Sequence, residues 1–175
     1  MTYRLNTQPL ISEKQLSSRI KELGREISGV YGHEDVVVVA VLKGSFIFTA
    51  DLIRHIDSPL IVEFIGVSSY SGTSSTGQVR ITHDLSCDIE GRHVLLVEDI
   101  VDTGETLDYL SEYLLLRKPK TFKVCSLLSK PMNHKMAHHV DFIGFEIGPE
   151  FVVGYGLDVD GRFRQIPYLA RVETE

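Results

Sequence analysis

The densest chemistry in the sequence lies in Val94-Leu95-Leu96-Val97-Glu98-Asp99-Ile100-Val101-Asp102-Thr103-Gly104-Glu105-Thr106-Leu107. An apolar run ends in two acids, a short turn adds a third, and Thr-Gly-Glu-Thr opens a helical stretch. A helix N-terminus presents free backbone N–H groups and the positive end of a dipole, which suits a phosphate. Gly104 lets the main chain approach closely, and the hydroxyls of Thr103 and Thr106 add donors. Glu98 and Asp99, just before this cradle, would repel an anion unless they hold something else. Ribose hydroxyls, which donate hydrogen bonds, and a hydrated Mg²⁺ both meet that requirement. One loop can therefore gather a 5′-phosphate, its sugar and metal-bound waters. Acids at a strand end also serve phosphohydrolases, phospho-acceptor domains and dehydrogenases. A nucleophilic acid would leave the Thr-Gly-Glu-Thr cradle unexplained.

The elements around this segment alternate. Residues 12–27 have helical spacing, with Ser12 as N-cap and Leu16, Ile20, Leu23 and Ile27 along one stripe. Val36-Val37-Val38-Val39-Ala40-Val41-Leu42 is apolar at every position, the pattern of a strand buried on both faces of a parallel sheet. Residues 60–67, 93–97 and 122–128 read as further strands, and 45–56 and 105–117 as helices between them. This alternation predicts an α/β fold, a parallel twisted sheet flanked by helices and joined by right-handed crossovers. In an open sheet of that kind ligands bind at the carboxyl ends of the strands. Residues 68–78 (Ser-Ser-Tyr-Ser-Gly-Thr-Ser-Ser-Thr-Gly-Gln) are small and polar, the composition of a lid loop. The last fifty or so residues, richer in short strands and turns, read as a smaller subdomain. His134, His138 and His139 cluster, with His134 and His138 one helical turn apart, and read as a solvated group without a third metal ligand.

Totals bound the class. The chain has 175 residues, 43% hydrophobic and 24% charged, enough for one domain with a real core. Its formal net charge of -6 argues against a sequence-independent grip on nucleic acid. Two cysteines, Cys87 and Cys125, are too few for a disulfide framework or thiolate metal site and read as reduced thiols. The N-terminal residues lack the apolar core of a signal peptide, and no apolar run approaches the roughly 20 residues of a membrane span. A cytoplasmic protein is the expectation.

The segment from Val94 to Leu107 closely resembles the phosphoribosyl-pyrophosphate motif of the phosphoribosyltransferases. Further stretches, in the same order along most of the chain, resemble the hypoxanthine-guanine branch of that family. They are Leu42-Lys43-Gly44-Ser45, Ser68-Ser69-Tyr70 and Phe151-Val152-Val153-Gly154-Tyr155-Gly156-Leu157-Asp158, with Arg164 just beyond. The resemblance implies the type I phosphoribosyltransferase fold over residues 1–175, with a base-binding hood from the N- and C-terminal segments. It implies transfer of a phosphoribosyl group to N9 of hypoxanthine or guanine in purine salvage, Mg²⁺ as cofactor and a homo-oligomer, dimer or tetramer. Asp102 would be the general acid–base group near N7. Lys43, Gly44, Glu98, Asp99, Asp102, Thr103, Gly104, Glu105, Thr106 and Arg164 would bind the donor, and the Lys43–Gly44 peptide bond can be cis in relatives. Lys130, Phe151, Val152 and Asp158 would bind the purine, with the Lys130 ammonium donating to O6. Ser69 and Tyr70 would belong to the lid, and Glu98, Asp99 and Asp158 would hold Mg²⁺. Many relatives carry an aromatic directly after the aspartate, where this chain has Val159. A xanthine-preferring enzyme, and a donor-sensing regulator that binds nucleic acid, are the alternatives.

Overall fold

The computed structural model describes residues 3–6, 8–69 and 79–174. Its first helix, α1 (Glu13–Tyr31), starts where the sequence dictates: Ser12 Oγ accepts from Gln15 N, and Gln15 Oε1 accepts from Ser12 N. This capping box satisfies two N–H groups that the helix itself cannot. Leu16, Ile20, Leu23 and Ile27 are buried along one face, and the helix runs one turn past the expected end to Tyr31.

Strands β1 (Tyr3–Leu5), β2 (Val36–Leu42), β3 (Leu60–Ser69) and β4 (Val79–His83) precede β5 (His93–Val101). After it come β6 (Thr121–Ser129), β7 (Phe142–Glu146), β8 (Val152–Val153) and β9 (Ala170–Thr174). Helices α2 (Phe46–Leu52) and α3 (Glu105–Leu115) lie after β2 and β5. Six strands form the main sheet in the order β4-β3-β2-β5-β6-β7, all parallel except β4 at one edge.

The all-apolar β2 is central, as expected of a strand with no face for water, and its alternation sorts two cores. Val36 and Val38 pack with α1 and α2 residues such as Ile20, Leu23, Phe48 and Leu52. Val37, Val39 and Val41 pack on the other face with Leu107, Leu110 and Leu114 of α3. Leu95 and Val97 of β5 join the first core and Val94 and Leu96 the second. A second sheet, β1-β9-β8, unites the two ends of the chain. No helix of the described residues is long and apolar enough to cross a membrane.

Several elements differ from the sequence expectation. The stretch expected as one helix over 45–56 is α2 followed by a separate 3₁₀ turn, Ile53–His55. The strand expected to stop at Val97 continues through the acids to Val101, because Ile100 and Val101 pair with Leu128 and Ser129. Residues 134–139 are not helical, so His134 and His138 do not share a helix face. His134 meets Ser129, His138 meets Asp108 and His139 meets Asp141.

Candidate active site

Three adjacent parallel strands, β2, β5 and β6, deliver three loops to one edge of the sheet. Leu42-Lys43-Gly44 leaves β2, residues 102–106 leave β5, and residues 130–133 leave β6. Lys130 N donates to Val101 O at 2.9 Å, which brings the start of the β6 loop beside Asp102.

The turn after β5 is the one whose sequence suits an anion cradle. Gly104 is the N-cap of α3 with φ 90° and ψ -1°, a left-handed conformation that favours glycine. Its cap position carries no side-chain hydrogen bond. Thr103 Oγ1 accepts weakly from Glu105 N at 3.4 Å. The cavity here, about 100 Å³, is lined by Glu98, Ile100, Val101, Asp102, Thr103, Gly104, Thr106 and Leu107. From outside, the Met136 side chain covers Gly104, where a β-carbon would come within 2.4 Å of it, and Lys135 N donates to Thr103 O at 3.0 Å.

A neighbouring cavity of about 250 Å³ gathers Lys43, Gly44, Glu98, Asp99, Thr106, Asp158 and Arg164. The bond before Lys43, Leu42–Lys43, is the cis peptide among the described residues, one bond earlier than the resemblance implied. Gly44 lies against Asp99 so closely that a β-carbon would sit 1.5 Å from Asp99 Oδ2. Burial pushes the Glu98 carboxyl well above the usual carboxylate range, and the adjacent Asp99 charge adds to the rise. Burial also raises Asp99; the Ile100 N–H, at 2.9 Å from its Oδ1, and Arg164 oppose the rise, and Asp158 adds to it. Asp158 is clasped by Arg164 at 2.6 Å and accepts from Gly161 N at 2.6 Å. Arg164 also donates to Gly156 O at 2.6 Å, so the turn lacking the aromatic after Asp158 is held by its own ion pair. Among the described residues no three His, Cys, Asp or Glu groups converge as a protein-only metal cage.

The third cavity, about 230 Å³, has a floor of Leu157 and Val152, acids Asp99, Asp102 and Asp158, and Lys130 beside Phe151. Phe151 is 56% exposed, which rules out a core role and leaves its face free to stack. Tyr155, in contrast, is buried and donates to Asp51. Lys130 is 6% exposed, not a solvated loop lysine, and its Nζ reaches Asp102 Oδ2 at 3.2 Å. Asp102 Oδ1 accepts from Asn133 Nδ2 at 2.6 Å. Burial tends to raise Asp102, but the hydrogen bonds from Asn133 and Lys130 and the charges of Lys130 and His134 outweigh it. The carboxyl ends below its ordinary value.

Comparison with known proteins gives this arrangement a family. A profile described as the phosphoribosyl transferase domain matches residues 11–160. The hypoxanthine-guanine phosphoribosyltransferase of Bacillus subtilis is 47% identical over 161 residues, 91% of this chain and 89% of that protein. The crystal structure of a hypoxanthine-guanine phosphoribosyltransferase from Bacillus anthracis superposes with a TM-score of 0.92 at 42% identity, covering 99% of this chain and 100% of that one. The chain belongs to the hypoxanthine-guanine phosphoribosyltransferase family. A bifunctional protein TilS/HprT of Listeria innocua is also similar, 46% identical over 167 residues, 95% of this chain; the chain spans 26% of that protein's length.

Within this phosphoribosyltransferase, the donor residues expected on β2, on β5 with its turn, and in the 158–164 turn meet at one sheet edge, and Lys130, Phe151 and Val152 adjoin them. Glu105 is the exception, an exposed first residue of α3 that lines none of the three cavities. Ser69 ends β3 paired with Val79, while Tyr70 and the remainder of the expected lid lie outside the described residues. Sequence reasoning missed Asn133 and Met136. No motif marks either, and only the Lys-Pro dipeptide before Asn133 hints at a tight turn.

Proposed function

We propose that this chain transfers the 5-phosphoribosyl group of phosphoribosyl pyrophosphate to N9 of hypoxanthine or guanine, giving IMP or GMP and pyrophosphate in purine salvage. One observation carries the reading: Asp102 lines both the cavity at the start of α3 and the cavity beside Phe151, so a single carboxylate would adjoin both sugar phosphate and base. In this reading the amides and hydroxyls of residues 103–106 bind the 5′-phosphate, while Glu98 and Asp99 accept from the ribose hydroxyls. Phe151 stacks on the base and the Val152 main chain faces its edge. Lys130 donates to O6; an ammonium has donors and no acceptor, so it suits a 6-oxo group and mismatches the 6-amino group of adenine. Asp102 moves a proton at N7 as the N9 bond forms. Lys43 and Arg164 offset the charge of departing pyrophosphate, and the Ser69-Tyr70 lid excludes water from the oxocarbenium-like sugar.

The site suits Mg²⁺. Glu98, buried, and Asp99, half-buried, are adjacent carboxylates, each raised by desolvation, a pair that a cation relieves. Mg²⁺ is commonly held by one or two carboxylates, waters and substrate phosphates rather than by a closed protein cage, and Glu98, Asp99 and Asp158 would be its protein contacts. When bound, it would supply charge neutralisation to the leaving pyrophosphate. The sheet β1-β9-β8 would form the base-binding hood, and the protein would work as a cytoplasmic homo-oligomer. A pyrophosphate-release assay with donor, Mg²⁺ and each purine tests this reading. Release is expected with hypoxanthine or guanine and not with adenine; no release with any 6-oxopurine would overturn it.

A further inference from the structure

We infer that Asn133 is a positioning residue for Asp102, holding its carboxylate toward the base while Lys130 is drawn to O6. The Asn133 amide donates to Asp102 Oδ1 at 2.6 Å and Lys130 Nζ to Oδ2 at 3.2 Å. Both come from one short segment. Pro131 opens a 3₁₀ turn, Pro131–Asn133, and Asn133 N closes it onto Lys130 O at 2.9 Å. Proline's fixed φ pre-sets the first residue of such a turn, so Lys130 and Asn133 reach opposite oxygens of the same carboxylate.

The Asp102 side chain is 47% exposed, and these are the hydrogen bonds it accepts from side chains among the described residues. Without them, its terminal torsion is soft and its direction poorly defined. Lys130 has a competing task, since a bound base offers O6 to the same ammonium. Asn133 lines none of the walls around Phe151, so it keeps Oδ1 whatever Lys130 does. An amide also orients the carboxylate without adding a charge. A second lysine would suppress proton uptake more strongly.

This inference rests on Asp102 being the group that moves the proton, and a double-mutant cycle separates the two ideas. Asn133→Leu, similar in size without a donor, should lower kcat roughly tenfold, the scale of a lost hydrogen bond to a charged group, with the KM for the donor unchanged. Asn133→Gln, which keeps a donor, should recover part of the loss. In an Asp102→Asn background, Asn133→Leu should change kcat by less than about twofold, because residues that act as a unit are not additive. If Asp102→Asn alone leaves turnover intact, the parent reading fails and this one with it. If Asp102→Asn slows turnover while Asn133→Leu has no effect, or an equal effect in both backgrounds, the positioning role alone is refuted.

Discussion

Substituting Gly156 by alanine tests how the Lys43-Gly44 loop after β2 is held. Gly156 has φ 105°, and a β-carbon there would lie 2.1 Å from the Gly44 carbonyl oxygen. Gly44 in turn leaves no room above Asp99 Oδ2, so the three residues form a stack of main chain on main chain on carboxylate. Two costs follow. An L-residue in left-handed backbone loses about 1–2 kcal/mol. Overpacking against a carbonyl that cannot rotate away adds about 1–3 kcal/mol. Together these give about 2–5 kcal/mol, which for a domain of this size lowers Tm by roughly 5–15 °C. Relief requires moving Gly44 away from Gly156, toward Asp99 where there is no room, so the loop and Asp99 must shift together and the KM for the phosphoribosyl donor should rise as well. Gly29→Ala is the control: it lies in α1 with no atom within 4 Å of the added carbon, and should stabilise by about 0.5–1 kcal/mol. Thermal unfolding and steady-state kinetics on both variants decide the matter. A Gly156→Ala protein that melts within about 2 °C of the parent with an unchanged donor KM would refute the stacking.

Other substitutions address the chemistry and the charges. Asp102→Asn should leave donor binding near normal and slow turnover by roughly 10²-fold or more, measured by initial rates with saturating donor. Lys130→Ala should weaken base binding and raise the relative rate with adenine; full exclusion of adenine in that variant would remove Lys130 from base choice. Glu98 has its pKa raised in the fold, so its contribution to stability is complete below its unfolded pKa and is lost as pH rises through the folded value. Glu98→Gln should therefore raise the Tm of the ligand-free protein at pH 7–8 more than at pH 5. Activity should fall because the amide no longer offers a carboxylate to the sugar. An equal Tm change at both pH values would contradict the raised pKa.

The sequence was most legible where one physical demand dominated. β2 announced itself because burial on both faces requires an apolar residue at every position, and α1 because Ser12 and the Leu16-Ile20-Leu23-Ile27 stripe mark its start and its buried face. The Glu98 to Thr106 segment was legible because an anion cradle behind paired acids makes sense only with a sugar and a cation between them. What stayed hidden depends on partners distant in sequence. β7 contains Gly144, required because a β-carbon there would meet Leu127 O at 2.4 Å, a contact no local pattern records. β4 is an edge strand of mixed exposure, masked by the polar run before it. Asn133 acts on a carboxylate 31 residues away, and Met136 packs on Gly104 from a loop whose histidine spacing suggested a helix. Lys130 follows β6 directly, and nothing local in the sequence shows that it is buried against Asp102.

The most direct measurement is a crystal structure of the protein with Mg²⁺ and an unreactive analogue of the phosphoribosyl donor. The 5′-phosphate should lie within hydrogen-bond reach of the main-chain amides of residues 103–106, with the ribose hydroxyls on Glu98 and Asp99. A phosphate bound elsewhere, with that turn empty, would contradict the account.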